Sequence, residues 1–281
     1  MTVVIKTAQE VKEALCKRER PIGFVPTMGA LHAGHVSLIK AARDECKTTI
    51  VSIFVNPLQF GPNEDYSKYP RDLLHDLKIC EENNVDFIFV PEEKEIYPDS
   101  ESKQKIILPP YQLSSILCGK TRPTHFQGVT TVMQNFFNII ESDYAYFGTK
   151  DLQQLYIVRW LVKEFNFHIF VRAVPIVREP NGLACSSRNR YLSSEEKDIA
   201  SNIYQSLQLA KQNTRSGFFT VSKTTLESIV FLSRFPGIKV EYFEAKDKEN
   251  LAKVDDYKTS GFYFLTAVKI GNVRLIDNIE I

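Results

Sequence analysis

Two histidines, His32 and His35, stand three residues apart in a segment rich in small residues, and they are the first side chains that could do chemistry. The segment, residues 23–35, reads G-F-V-P-T-M-G-A-L-H-A-G-H. If a helix begins here, residues at this spacing share one of its faces. The N–H groups of a helix start attract phosphate, and glycines such as Gly29 and Gly34 let the backbone approach a ligand closely. The pattern indicates a nucleotide-binding segment.

Two other interpretations of this histidine pair remain open when it is taken alone. An H-x-x-H pair could bind a metal, but a catalytic metal site usually has about three protein ligands, and no H-E-x-x-H pattern occurs. The pair could also be ordinary polar residues at a helix start. The polar clusters further along the chain favour the nucleotide interpretation.

A second cluster, residues 148–154, reads G-T-K-D-L-Q-Q and follows a predicted strand. It opens a predicted helix, and Asp151 is placed to cap that helix. Lys150 then lies at a helix N-terminus, where a cation is unfavourable unless an anion compensates. An exposed loop lysine is the ordinary alternative, but the position favours a phosphate partner.

A third cluster, residues 185–188, reads C-S-S-R. The hydroxyls of Ser186 and Ser187 and the guanidinium of Arg188 suit several phosphate oxygens at once. A solvated loop before the next helix is the alternative, and it would be preferred for an isolated S-S-R. In company with the other clusters, the segment indicates phosphate binding.

Three amides, Asn56, Gln59 and Gln154, follow predicted strands. An amide both donates and accepts, which suits a ligand with hydroxyl and carboxylate groups. Structural amides that tie down loops are equally consistent with the residues alone. Arg122 could bind an anion or cover a helix end.

Strands and helices alternate around these clusters. The strand at residues 22–25 is predicted to stop at Pro26, and further strands are predicted at residues 49–55, 144–147 and 167–174. The alternation predicts a doubly wound, Rossmann-like parallel α/β sheet. Ligands bind such sheets beyond the carboxyl ends of the strands. The polar segments at residues 27–35, 56–59, 148–154 and from 177 onward each directly follow a predicted strand, so we expect them to gather at one end of the sheet.

From about Arg178 the pattern changes. Ser193 and Glu196 form a predicted capping box that opens a long helix, and three strands follow, the last two joined by a Gly271-Asn272 turn. These elements predict a smaller α+β domain at residues 178–281, expected to act as a lid. The Rossmann-like domain is predicted at residues 1–177.

Composition bounds the class of protein. The chain has 281 residues, 43% hydrophobic and 25% charged, which is ordinary for a globular protein. The net charge of +1 does not provide the positive potential that would attract nucleic acid. No apolar run approaches the ~20 residues of a membrane span. Five widely spaced cysteines without C-x-x-C, and a start without signal-peptide features, predict a cytoplasmic protein with reduced thiols.

Taken together, the motifs resemble those of the pantothenate synthetase family, ATP-dependent ligases of pantoate and β-alanine within the nucleotidyltransferase superfamily. The histidine segment is similar to the family's P-T-M-G-A-L-H-x-G-H. Cys185 replaces the methionine of the family's M-S-S-R-N. The other matching segments are N-P-x-Q-F-G at residues 56–61, R-P-x-H-F at 122–126 and F-G-x-K-D-x-Q-Q at 147–154.

The resemblance implies a reaction. The chain would condense (R)-pantoate with β-alanine to pantothenate, through a pantoyl-adenylate, and would release AMP and pyrophosphate. ATP would be a substrate, with Mg²⁺ required. Asp76 matches a position associated with Mg²⁺, although His75 stands where an acidic residue is common. A homodimer without nucleic-acid or membrane partners would be the expected assembly.

The resemblance also implies site residues, and these are carried over position by position. The catalytic candidates are His32, His35, Lys150 and Arg188. The ATP-binding candidates are Met28, Gly29, Ala30, Leu31, His32, Ala33, Gly34, His35, Gly148, Thr149, Lys150, Asp151, Val177, Cys185, Ser186, Ser187 and Arg188. The candidates for pantoate or β-alanine are Gln59, Gln154, Asn56, Arg122 and His125.

Three other functions remain as alternatives. The chain could be a nucleotidyltransferase that stops at an adenylated or cytidylylated product. It could be a nucleotide-binding regulator without chemistry, although its retained histidines, Lys150 and Arg188 argue against that. Binding of nucleic acid is disfavoured by the net charge.

Overall fold

A computed structural model describes residues 2–62, 64–98, 105–255 and 261–281. The chain divides into two compact units. The first unit consists of Met1–Thr149 and Gln154–Pro175, and the second of Lys150–Gln153 and Ile176–Ile281. Within the described ranges, no helix combines the length and the apolar character that crossing a membrane requires.

The first unit is built on a parallel sheet. Its described strands are β1 (Val3–Ile5), β2 (Ile22–Thr27), β3 (Thr48–Ile53), β4 (Phe87–Phe89), β5 (Tyr144–Gly148) and β6 (Phe170–Val174). They lie in the order β1-β4-β3-β2-β5-β6, and every neighbouring pair is parallel. The predicted doubly wound α/β fold is confirmed.

Helices connect these strands. They are α1 (Ala8–Leu15), α2 (Ala33–Glu45), α3 (Leu73–Glu82), α4 (Glu93–Ile96), α5 (Tyr111–Ser114), α6 (Cys118–Thr121), α7 (His125–Ile140) and α8 (Leu152–Glu164). Helix α2, which carries the histidine pair, buries Leu38, Ile39 and Ala42 in one cluster with Val25 and Val51 of the central strands. Burial of this apolar face fixes the start of α2 against the sheet.

The predicted end of β2 at Pro26 is wrong. The strand continues, with Pro26 opposite Ser52 and Thr27 beyond it. The Thr27 carbonyl accepts the Phe54 N–H, so Thr27 faces β3 and Pro26 faces the other neighbour, β5. Strand β5 pairs with β2 only as far as Phe24. No strand lies opposite Pro26 on that side to accept a hydrogen bond, so the N–H that proline lacks does not weaken the sheet.

Strand β6 is also shorter than predicted. It begins at Phe170, opposite Tyr144, the first residue of β5. The residues before it have strand-like composition but no partner along β5. Pairing, which composition does not reveal, sets where this strand begins.

Strands β3, β2, β5 and β6 are adjacent and parallel, so their carboxyl ends lie at one edge of the sheet. The polar segments that follow β2 and β3 start from this edge and stay in the first unit. The segments that follow β5 and β6 start from the same edge and lead into residues of the second unit. These segments therefore start from a common edge, and the expectation that the polar clusters gather there stays a prediction.

The second unit is a small α+β body, as predicted. It contains α9 (Ser194–Ser216), α10 (Val221–Ser233) and the antiparallel strands β7 (Ile238–Asp247), β8 (Phe262–Ile270) and β9 (Val273–Glu280). Its core joins Leu207 of α9 and Leu232 of α10 with Phe264 of β8. Ser193 and Glu196 form the predicted capping box. Gly271, with φ +54°, makes the turn between β8 and β9.

Candidate active site

The loop between β2 and α2 is held by a buried carboxylate. Gly29 and Ala30 have φ values of +78° and +50°, which is left-handed backbone. This conformation turns the N–H groups of Ala30 and Leu31 towards Asp76, and they donate to its two oxygens over 2.8 and 2.7 Å. A Cβ on Gly29 would lie 2.8 Å from Asp76 Oδ2. Glycine is needed at this position for its backbone conformation and for space.

Asp76 is buried against the loop that it holds. Its side chain is 1% exposed, and both oxygens accept backbone N–H groups. Mg²⁺ usually keeps several water molecules when it binds a protein. No group of three or more His, Cys, Asp or Glu residues in the described chain is arranged to hold a metal ion. Both oxygens of Asp76 are thus engaged by the loop, and its assignment to Mg²⁺ stays a prediction.

The two imidazoles lie together at the start of α2. His32 is the N-cap of this helix, and its Nδ1 accepts the Gly34 N–H at 3.1 Å. When Nδ1 of a neutral imidazole accepts, the hydrogen is on Nε2. Nε2 of His32 is therefore a hydrogen-bond donor. The ring of His35 is tilted by 36° against that of His32, with 4.1 Å between the ring centroids.

Gln59 is the centre of a second polar group in the first unit. Its Nε2 donates to Met28 Sδ at 2.7 Å, and its Oε1 accepts from Asn56 Nδ2 at 3.2 Å. Its backbone carbonyl accepts from Arg122 Nη2 at 3.3 Å and from His125 Nδ1 at 2.8 Å. Side chain and backbone of Gln59 are both fixed by residues that the sequence had singled out.

Asn56 is engaged on all sides. Its Nδ2 also donates to the Gly128 carbonyl, and its Oδ1 accepts from Tyr97 Oη at 2.7 Å and from the Leu58 N–H. Burial raises the pKa of Tyr97, so its hydroxyl stays protonated as a donor. With its hydrogen-bonding groups taken up by protein, Asn56 orients Gln59.

Arg122 is held by Glu64. The guanidinium donates to both carboxylate oxygens, over 2.8 and 2.5 Å. Burial acts to raise the pKa of Glu64, but the hydrogen bonds and positive charge of Arg122 outweigh it, and this pKa lies below its usual value. The ion pair keeps one Arg122 nitrogen directed at the Gln59 carbonyl.

In the second unit, Lys150 and Ser186 line one small cavity, together with Asp277 of β9. Lys150 belongs to a short 3₁₀ helix, Thr149–Asp151, directly before α8. Its ammonium lies 3.4 Å from an oxygen of Asp151. Two residues that the sequence assigned to phosphate binding are thus brought to the same cavity, although they are far apart in the chain.

The serine segment is built on a tight turn. The Cys185 N–H donates to the Val177 carbonyl at 2.9 Å. Ser186 caps the 3₁₀ helix Ser187–Tyr191, and its Oγ accepts the Arg188 N–H. Asn189 donates to the Ala184 carbonyl and to Glu179. These bonds give the segment a defined shape.

Comparison with known proteins decides the family. The family model for pantoate-beta-alanine ligase matches residues 3–280. The chain belongs to the pantoate-beta-alanine ligase family. Membership confirms the resemblance seen in the sequence and the predicted class of enzyme, a ligase.

Relatives of this family agree over nearly the whole chain. A pantothenate synthetase of Thermotoga petrophila is 46% identical over 278 residues, which cover 98% of each chain. A crystal structure of the enzyme from Thermus thermophilus has a TM-score of 0.94 and 40% identity, and covers 99% of both chains. A pantoate-beta-alanine ligase from Francisella tularensis, solved with beta-gamma ATP and beta-alanine, has a TM-score of 0.81 and 36% identity over 99% of this chain and 97% of its own.

Two of the predicted ATP-binding residues of this family member, Ala30 and Leu31, are buried in the first unit. Ala30 and Leu31 have buried side chains, and Leu31 packs in the core. Their N–H groups are the ones that Asp76 accepts. In contrast, Ala33 is exposed, and Gln154 is half-buried in the first turn of α8.

Three residues of the site were not found from the sequence: Glu64, Asp277 and Asn278. Nothing in the sequence pairs Glu64 with Arg122, because the contact joins loops far apart in the chain. The adjacent polar residues Asp277-Asn278 inside an otherwise alternating strand are a detectable signal. Both are buried, which breaks the alternation of β9.

Proposed function

We propose that this ligase joins pantoate to β-alanine in two steps. In the first step, a carboxylate oxygen of pantoate attacks the α-phosphorus of ATP, and pyrophosphate leaves. In the second step, the amine of β-alanine attacks the acyl carbon of the pantoyl-adenylate, AMP leaves with the bonding pair, and the amine loses a proton. The observation that carries the proposal is the family match over residues 3–280. The Francisella relative, with its bound ATP analogue and β-alanine, supports the choice of substrates.

The histidine pair is proposed to stabilise charge on the phosphates. In the first step an anion approaches a polyanion, so the protein has to neutralise and align more than it has to move protons. His32 Nε2–H is a donor by its tautomer. His35, whose ring lies against that of His32, adds a second imidazole at the same helix start.

Lys150 and Arg188 are proposed to supply positive charge in the second unit, and Ser186 and Ser187 to supply hydroxyl donors. Support comes from the cavity shared by Lys150 and Ser186. ATP binding by residues 28–35 and 148–151, by Val177 and by residues 185–188 is part of this proposal.

Gln59 and Gln154 are proposed to bind pantoate. The surroundings of Gln59 change the roles proposed for its neighbours. Asn56 orients the Gln59 amide, while Arg122 and His125 hold its carbonyl. These three act through Gln59 instead of each contacting pantoate or β-alanine by its own side chain.

The remaining expectations are proposals of the same kind. Mg²⁺ is proposed to arrive with ATP, bound to its phosphates, and Asp76 is not proposed as its ligand. A homodimer in the cytoplasm, without nucleic-acid partners, is proposed from the resemblance to the family.

Two assays on the wild-type protein test the reaction. Exchange of labelled pyrophosphate into ATP should require pantoate and should proceed without β-alanine. Net release of AMP should begin only when β-alanine is added. Exchange that does not depend on pantoate would contradict the adenylation step. Exchange without later amide formation would favour a nucleotidyltransferase that stops at the adenylate.

A further inference from the structure

We propose that the adjacent residues Asp277 and Asn278 of β9 are positioning residues that fix the two phosphate-binding segments of the second unit. The inference rests on the proposed function of Lys150 and of residues 186–188. It assigns a role in the reaction to the last strand of the chain.

Asn278 holds the backbone of Lys150. Its Nδ2 donates to the Lys150 carbonyl at 3.1 Å. Its own N–H donates to Asp277 Oδ1 at 2.8 Å, so the donor itself is fixed. Strand alternation would leave Asn278 exposed, yet it is only 5% exposed. The Lys150 segment contributes to this burial through the bond to Asn278.

Asp277 holds the other segment through Arg178. Its two oxygens accept from both terminal nitrogens of Arg178, at 2.6 and 2.9 Å. Arg178 also donates to the Gly182 carbonyl at 3.1 Å and lies over the ring of Tyr204, 3.7 Å from its centroid. Arg178 pairs with Ala184 across the turn, immediately before the serine segment.

A direct contact between Asp277 and a phosphate is unfavourable. Asp277 lines the same cavity as Lys150 and Ser186, where a free carboxylate would repel a polyanion. The bidentate pair with Arg178 takes up its charge. Asp277 therefore belongs to the frame of the cavity, and it acts on the serine segment only through the arginine.

Together the two residues form one support. Asn278 contacts the segment before α8, Asp277 contacts the turn before residues 186–188, and the peptide bond between them fixes their spacing. A shift of β9 would move the lysine and the serine segment together. A small displacement of a group that contacts the reacting atoms can lower the rate of an enzyme strongly.

The test is a double-mutant cycle between Asn278 and Lys150. Asn278→Ala should lower kcat/KM for ATP in pantoate-dependent pyrophosphate exchange by about tenfold, the factor for one ordinary hydrogen bond. In a Lys150→Ala background the same change should have no further effect, because the carbonyl that Asn278 contacts remains but the ammonium that this contact positions is gone. An unspecific loss of structure would lower activity in both backgrounds.

A second readout does not depend on turnover. Asn278→Ala should increase amide hydrogen exchange in residues 149–153 of the free protein, with the exchange of α10 unchanged. Glu280→Gln is the matched control, since Glu280 lies on the same strand and pairs with exposed Lys248. It should alter neither the exchange pattern nor kcat/KM.

The outcomes separate this inference from the function on which it rests. If wild-type protein shows no pantoate-dependent exchange, the proposed function is wrong and the inference falls with it. If wild type is active but Asn278→Ala behaves like Glu280→Gln, the inference alone is overturned. Additive losses in the cycle would also overturn it.

Discussion

The two units each bury a carboxylate beside a segment that is proposed to bind phosphate, and they neutralise the carboxylate differently. Asp76 in the first unit is 1% exposed and accepts two backbone N–H groups of the histidine loop directly. Asp277 in the second unit is 3% exposed and pairs with Arg178, which in turn holds backbone. Burial raises the pKa of Asp277, and the hydrogen bonds and charge of Arg178 act against this shift.

The difference shows two ways of placing a negative charge near a proposed phosphate site. In the first unit, backbone dipoles neutralise the carboxylate, so the loop conformation and the charge depend on each other. In the second unit, the guanidinium of Arg178 neutralises the carboxylate. Asp277 therefore holds the turn backbone only indirectly, through this arginine. Removing Asp76 should therefore disturb the loop geometry, whereas removing Asp277 should leave an arginine without its partner.

The largest effects should come from the proposed phosphate-binding side chains themselves, one in each unit. Lys150→Ala and His35→Ala should each lower the rate of pyrophosphate release by about 10²–10³, by analogy with loss of one oxyanion donor. Rapid-quench measurement with saturating ATP and pantoate gives this rate. Lys163→Ala, an exposed lysine near the end of α8, is the control. A near-normal rate in either site variant would remove that residue from the proposed chemistry.

Asp76→Asn should have the next largest effect. It replaces one acceptor oxygen by a donor that faces a backbone N–H, and kcat/KM for ATP should fall by roughly 10- to 100-fold. The Mg²⁺ concentration for half-maximal activity should not change. Asp72→Asn is the matched control, because Asp72 caps the same helix and asparagine also caps well. Recovery of Asp76→Asn activity in excess Mg²⁺ would instead make Asp76 a metal ligand.

Asp277→Asn should act more on stability than on chemistry. Leaving Arg178 without its buried partner should lower the free energy of unfolding by about 3 kcal/mol. Urea unfolding followed by circular dichroism measures this change. Asp255→Asn removes one partner of an exposed pair with Lys253 and should cost about 0.5 kcal/mol or less. Equal losses in the two variants would contradict the buried role of Asp277.

The smallest effect should be a pH dependence at Glu64. The pKa of this carboxyl lies below its ordinary 4.5, so its pair with Arg122 stabilises the fold above that pH and is lost as pH falls through the lowered pKa. The contribution of this pair to the free energy of unfolding should therefore be constant from neutral pH down to about 4.5 and should decrease below that pH. Glu64→Gln should remove that part of the acid transition in a series of urea unfolding curves. An unchanged acid transition would show that the pair contributes nothing.

Much of the fold was predictable because it depends on local patterns. Alternating apolar runs and helical segments predict the parallel sheet, and the capping box of Ser193 and Glu196 predicts the start of α9. Pro26 misled the prediction, because whether a proline ends a strand depends on how far the neighbouring strand pairs. That distance is set by tertiary structure.

The candidate site was predictable as residue types but not as roles. The sequence marks Asn56 as an amide after a strand and Arg122 as a residue that could bind an anion, and the family resemblance assigns these two and Asp76 to ligands. Their actual partners are Gln59, Glu64 and the loop N–H groups. Each of these contacts depends on folding or on loop geometry, which residue spacing alone does not give.

Adenylation of pantoate is tested most directly by oxygen transfer. Pantoate labelled with ¹⁸O in both carboxylate oxygens is turned over with ATP and β-alanine, and the products are analysed by mass spectrometry. Attack on the α-phosphorus predicts one ¹⁸O in AMP, one in the amide carbonyl of the product and none in pyrophosphate. Unlabelled AMP, with amide formed, would contradict an acyl-adenylate.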